Sequence, residues 1–154
     1  MRSKPVSRLL ASTRIGSGFP ARTDPNALVI GPTGDGFAGN TLYVADTLDN
    51  RIAAIPDAAL RTTDDGPGRT VTQGGALNNE LGLAIAPNGD ILTVNGGDGN
   101  IVETTPFGRQ VEVKTIDDNA GGGGNLFGLA VKPGADAVYF VDDFGSDNNL
   151  QLFH

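Results

Sequence analysis

The chain has no cysteine, no tryptophan and a single histidine among its 154 residues. Zero cysteine excludes a disulfide framework, thiol catalysis and zinc–thiolate sites. The one histidine is His154, at the last position, which leaves almost nothing for a Ser-His-Asp triad or a histidine metal cluster. Apolar runs are short, and none approaches the ~18 residues of a membrane-spanning helix, so no membrane span is expected. The stretch Val6–Ala11 is interrupted by Arg8 and makes no convincing signal peptide, so compartment stays open. Basic residues are scarce beyond the N-terminus. Arg2, Lys4, Arg8, Arg14 and Arg22 are five of the eleven, which leaves six against eighteen acidic residues, a net of −12. Such a body repels nucleic acid, whose binding rests on Lys and Arg contacts to phosphate. Residues 1–11 read as a basic, disordered arm in water, with contact to an anionic surface as the alternative.

What the chain does have is glycine, 23 residues of it, and a repeat. Three units share one order: an apolar run, a Pro/Gly turn, an apolar run ending in Asp or Asn, a polar loop and a third run. The first holds Ala27-Leu28-Val29-Ile30-Gly31-Pro32, then Leu42-Tyr43-Val44-Ala45-Asp46, then Asn50-Arg51-Ile52. The second holds Gly82-Leu83-Ala84-Ile85-Ala86-Pro87, then Ile91-Leu92-Thr93-Val94-Asn95, then Asn100-Ile101-Val102. The third holds Gly128-Leu129-Ala130-Val131-Lys132-Pro133, then Val138-Tyr139-Phe140-Val141-Asp142, then Asn149-Leu150-Gln151-Leu152-Phe153. Prolines 32, 87 and 133 set spacings of 55 and 46.

The runs are four to six residues long, partly β-branched or aromatic, and bounded by Gly, Pro, Asn or Asp, which is the signature of strands. Pro87-Asn88-Gly89-Asp90 predicts a tight Asn-Gly hairpin turn. A fourth, half-exposed run closes two units, at Gly68–Thr72 and Gly108–Ile116. The third unit has none, and Ser12–Phe19 at the other end of the chain resembles the missing one. Antiparallel four-stranded sheets repeated about an axis are propeller blades, so the fold class expected is all-β, with three blades in the chain. The blades are expected at about 27–75, 82–118 and 128–154, with 12–19 as a closing outer strand. Tyr43, Phe107, Phe127, Tyr139 and Phe140 are expected in the core between blades.

Gly-Leu-Ala-Ile-x-Pro-x-Gly, followed by Leu-Tyr-Val-Ala-Asp-Thr-x-x-Asn-Arg-Ile, resembles the NHL-repeat β-propeller, a relative of the gluconolactonase-like propellers. The resemblance covers residues from about 13 to 154 and is most specific in the first unit. It implies a ring that usually has six blades, of which this chain would be half. It also implies export to the periplasm or cell exterior, although the N-terminus lacks the matching signal.

Without histidine or cysteine, chemistry has to rest on oxygen ligands. Asp46, Asn95 and Asp142 each close a second strand, which predicts that they gather at one face of the disc. Carboxylate and amide oxygens suit Ca²⁺ or another divalent cation. Asp and Asn also end strands simply because they cap turns. The resemblance implies a metal-assisted hydrolase or lyase of the gluconolactonase or virginiamycin-lyase type. The asparagine that such sites place before Gly-Leu is replaced by Leu81 and Phe127 here. The residues therefore favour a non-enzymatic propeller that binds a protein or small-molecule ligand through loops at one face. Three blades leave two raw ends, and a homodimer that completes the ring would cover them.

Overall fold

The computed structural model describes residues 11–25, 28–118, 126–143 and 148–154. Its elements are strands throughout, apart from one 3₁₀ turn at Thr47–Asp49. A short antiparallel hairpin, β1 (Arg22–Asp24) with β2 (Leu28–Ile30), precedes the repeats. The first blade is β3 (Pro32–Ala38), β4 (Thr41–Asp46), β5 (Arg51–Ile55) and β6 (Arg69–Gln73). The second is β7 (Glu80–Ile85), β8 (Ile91–Asn95), β9 (Asn100–Thr104) and β10 (Gln110–Thr115). The third is β11 (Leu126–Val131), β12 (Val138–Asp142) and β13 (Asn149–Phe153). Each blade runs in sequence order, antiparallel, from an inner to an outer strand.

Register aligns the blades better than the prolines do. Asp46, Asn95 and Asp142 pair with Pro32, Glu80 and Leu126 in their inner strands. All three inner strands then carry a bulge, and all three have glycine two residues on: Gly34, Gly82 and Gly128. The first inner strand is therefore Pro32–Ala38, not the expected Ala27–Pro32, whose described part belongs to the β1–β2 hairpin. Pro32 corresponds to Glu80 and not to Pro87.

The turns account for the difference. The two-residue turn of the first blade is Gly39-Asn40, with φ of 52° and 69°. Both central residues thus take the left-handed conformation that matches strand twist. Pro87-Asn88-Gly89-Asp90 is a wider turn than expected. Only Gly89 has positive φ, at 92°, and Ala86 and Asp90 close it by a backbone hydrogen bond of 2.8 Å.

The inner strands touch backbone to backbone, which is why their sequences are small. A side chain on Gly34 would run into Leu81–Leu83, and one on Gly82 would run into the Phe127 carbonyl. Ala45, Ile52, Leu83, Ile91 and Val102 fill the joint between the first two blades. Val94, Ile101, Leu126, Val138 and Phe140 fill the next. Tyr43 and Phe140 lie in these joints as expected, but Phe107 is 98% exposed in the β9–β10 turn. Gly82→Ala is expected to cost about 1–3 kcal/mol, because overpacking at a backbone contact forces the blades apart. Urea denaturation measures that loss, and an unchanged midpoint would contradict the close approach.

Segment 11–21 contains no strand, so the expected closing strand Ser12–Phe19 does not form within the chain. It lies instead along the first blade. The Ser17 N–H donates to Gly66 O at 2.8 Å, and the Asp65 N–H donates to Ile15 O at 3.1 Å. The Ser17 side chain and the Gly66 amide hold the Asp64 carboxyl below its ordinary pKa. Phe19 packs on Val44, Ala53 and Ile55. The basic arm up to residue 10 lies outside the described residues.

Candidate functional site

The three second-strand ends are chemically alike but each is engaged in its own blade. Asp46 is wholly buried, and its Oδ2 accepts from Arg51 Nε at 2.9 Å and from Arg51 Nη2 at 2.6 Å. Arg51 also donates to Pro67 O at 2.9 Å and to Thr70 Oγ1 at 3.2 Å, and its guanidinium stands 5.9 Å from the Phe19 ring centre. Asn95 donates through Nδ2 to Ala76 O at 2.8 Å and to Asp98 Oδ1 at 3.0 Å. Asp142 accepts through Oδ2 from Gln151 Nε2 at 2.9 Å. All three side chains close the loop between the second and third strands of their blade. This is the turn-building use of Asp and Asn.

Beside them stands a residue that the repeat pattern does not single out. Glu80 opens the second inner strand, where the other blades have Pro32 and Leu126. It is fully buried, and neither carboxyl oxygen has a hydrogen-bond partner among the described residues. Only its main chain is anchored: Glu80 O accepts from Thr47 Oγ1 at 2.8 Å and from Thr33 Oγ1 at 3.3 Å. Burial pushes its pKa up to about 8, and the charge of Asp46 adds to the rise. The backbone N–H groups of Glu80 and Arg51 oppose the shift without making well-formed bonds to it. Burial also raises Asp46, against the hydrogen bond and charge of Arg51.

The structure thus brings Asp46, Glu80 and Asn95 together around the first joint. Asp142 stands on the third blade, opposite Leu126. Asp46 Oδ1 and Asn95 Oδ1, like both Glu80 oxygens, are buried and unpartnered among the described residues. Buried polar atoms are nearly always satisfied, so such orphans point to a missing ligand or water; Thr93 Oγ1 and Thr104 Oγ1, farther along the second blade, are orphaned in the same way. Among the described residues, however, no three Asp, Glu or His side chains converge as a metal site would require. The signal for Glu80 was in the sequence: it is a lone carboxylate in a strand that otherwise reads Leu-Gly-Leu-Ala-Ile.

A cleft of about 520 Å³ opens at the other pole, between the second and third blades. Leu92, Ile101, Val138 and Phe153 contribute its apolar wall, and Glu103 and Asp136 are among its polar groups. His154 lies here too, at the opposite end of the strands from Asp46, Asn95 and Asp142.

No family model and no curated protein matches the chain. Solved structures do. The calcium-binding protein regucalcin from Agrobacterium tumefaciens superposes with a TM-score of 0.59 at 19% identity, over 75% of this chain and 39% of that one. A gluconolactonase from Xanthomonas campestris gives 0.57 at 13% identity, over 81% and 44%. Virginiamycin B lyase from Staphylococcus aureus gives 0.54 at 14% identity, over 79% and 40%. The fold is that of a partial β-propeller. The chain spans about two fifths of the length of the propellers it matches. No helix among the described residues is long and apolar enough to cross a membrane.

Proposed function

We propose that this chain supplies three NHL-type blades to a propeller that works as a divalent-metal-assisted hydrolase or lyase on a small molecule. The observation that carries the proposal is the set of orphaned oxygens on Glu80, Asp46 and Asn95 at the pole where the second strands end. Similarity of fold to a gluconolactonase, to virginiamycin B lyase and to calcium-binding regucalcin supports this reading over a bare scaffold. The donor chemistry fits the ion, because Ca²⁺ takes hard oxygen ligands. The donor number is smaller than the six to eight oxygens that Ca²⁺ gathers, so main-chain groups, water or further blades would complete the set. Asp46, Asn95 and Asp142 are the candidate ligands, and Glu80 joins them. A divalent cation held there would polarise a lactone or ester carbonyl. Arg51, through its bonds to Asp46, would keep that carboxylate oriented.

A second reading is a binding scaffold that acts through its loops. It is favoured by the way Asp46, Asn95 and Asp142 are each spent on a loop of their own blade. Thermal melting with added Ca²⁺ or Mg²⁺ separates the two. An excess of about 100-fold over Kd should raise Tm by roughly 5–10 °C, and Glu80→Gln should remove the rise. No shift at millimolar metal removes the cation site. A shift without hydrolysis of a gluconolactone leaves the scaffold.

A further inference from the structure

The three blades are alike in register but not in burial, and the difference falls on one face. Ala45, Val94 and Val141 are equivalent, and their partners on the third strands are Ile52, Ile101 and Leu150. Ile52 is 0% exposed and Ile101 8%, because each lies under the next blade; Leu150 is 74% exposed. Ala84 is buried, whereas its equivalent Ala130 is exposed. Gly34 and Gly82 lie against the backbone of the following blade, whereas a side chain on Gly128 would meet only Val141 Cγ2, at 3.5 Å. The third blade therefore presents a finished docking face, glycine included, with nothing on it among the described residues.

The opposite end of the chain shows what fits there. In the first joint, β6 of one blade runs beside the glycine turn that precedes the outer strand of the next, with Val71 O against Gly108. The N-terminal segment treats the first blade in the same way. Ser17 meets Gly66, in the turn before β6, and Phe19 covers the outer half of the sheet face. The segment thus sits where the outer strand of a preceding blade would run, with no sheet partner among the described residues. The inner half of that face is open, with Phe37 54% exposed. The third blade has the complementary need, because β13 has no strand on its outer side among the described residues. Residues 12–19 of the same chain do not meet it, since they lie on the first blade, and the first and third blades flank the second on opposite sides.

We propose that the outward face of the third blade docks on the first blade of a second copy, whose residues 12–19 complete the third blade as its fourth strand. A two-fold axis repeats the exchange and closes both ends at once. The β3 backbone of the partner copy lies over Gly128, as β7 lies over Gly34. The interface goes beyond the metal-site reading and does not depend on it.

Sedimentation of the 154-residue chain at micromolar concentration tests it. The expected mass is twice the 15.8 kDa of one chain. Leu150→Asp and Gly128→Ala alter only open space in the single chain, so both should fold. Each should weaken the pairing by about tenfold or more, since one buries an unpaired charge and the other blocks a backbone contact. Phe107→Asp, on an exposed turn, should leave the mass unchanged. A wild-type monomer, a higher or open-ended assembly, or a dimer indifferent to both face variants would overturn the proposal. A monomer here together with a Ca²⁺-dependent Tm would leave the metal site standing.

Discussion

Replacing Glu80 by glutamine is expected to stabilise the metal-free chain, and the gain should grow with pH. The carboxyl of Glu80 has a pKa of about 8 in the folded chain, raised from 4.5 mainly by burial. Below the lower value the group is neutral in both states, and the substitution changes little. Between the two values the unfolded chain gives up the proton and the folded chain keeps it. Folding stability therefore falls by about 1.4 kcal/mol for each pH unit in that window. Above the higher value both states are ionised and the cost is constant. Near neutral pH the accumulated cost is on the order of 3 kcal/mol, which the amide would not incur. Urea denaturation of both proteins from about pH 4 to about pH 9 measures it. Two parallel stability curves would show that the Glu80 carboxyl is not the isolated, buried group described above.

Arg51→Met should act in the opposite direction and by a comparable amount. Among the described residues the guanidinium is the hydrogen-bond partner of the fully buried Asp46 carboxylate, and it also ties β5 to Pro67 and Thr70. Removing it leaves a buried charge uncompensated, for which a loss of about 3–5 kcal/mol is expected. That is a large share of the roughly 5–15 kcal/mol that holds a domain folded. Asp46→Asn in the same chain should restore part of the loss, because the unpaired charge goes with the arginine. Equilibrium denaturation at neutral pH reads both effects. A single variant as stable as the wild type would mean that the pair contributes nothing net, as many ion pairs do when water reaches them.

Much of the architecture was legible from residue pattern alone. The second strands, ending in Asp46, Asn95 and Asp142, and the outer strands β6 and β10 follow from alternation and turn residues. What the pattern hid was governed by contacts between blades. Pro32-Thr33-Gly34-Asp35-Gly36 reads as a turn, yet it is an inner strand. Its glycines are there because Gly34 faces Leu81–Leu83 backbone and Gly36 faces Leu83 and Ile85. A strand chosen for close approach loses the β-branched residues by which strands are recognised. Leu28-Val29-Ile30 has those residues but pairs only in the β1–β2 hairpin. Glu80 is hidden for a related reason: the equivalent positions in the other inner strands are Pro32 and Leu126, so its carboxylate is no part of the repeat.

The candidate site now differs from a simple ring of strand-end ligands. Asp46, Asn95 and Asp142 build their own loops, and Glu80, paired with Asn95 and within reach of the Asp46 charge, adds two unsatisfied oxygens at the first joint. The joint lies between blades, so it is sensitive to how the blades pack. Completion of the propeller by a second copy would supply further blades without altering that joint.

Titration of the Glu80 side-chain carboxyl carbon by NMR tests the central claim most directly. In the metal-free chain its midpoint is expected near the raised value of about 8, and added Ca²⁺ should lower it. A midpoint at the ordinary glutamate value, indifferent to Ca²⁺, would contradict both the buried, unpartnered carboxylate and the cation site built on it.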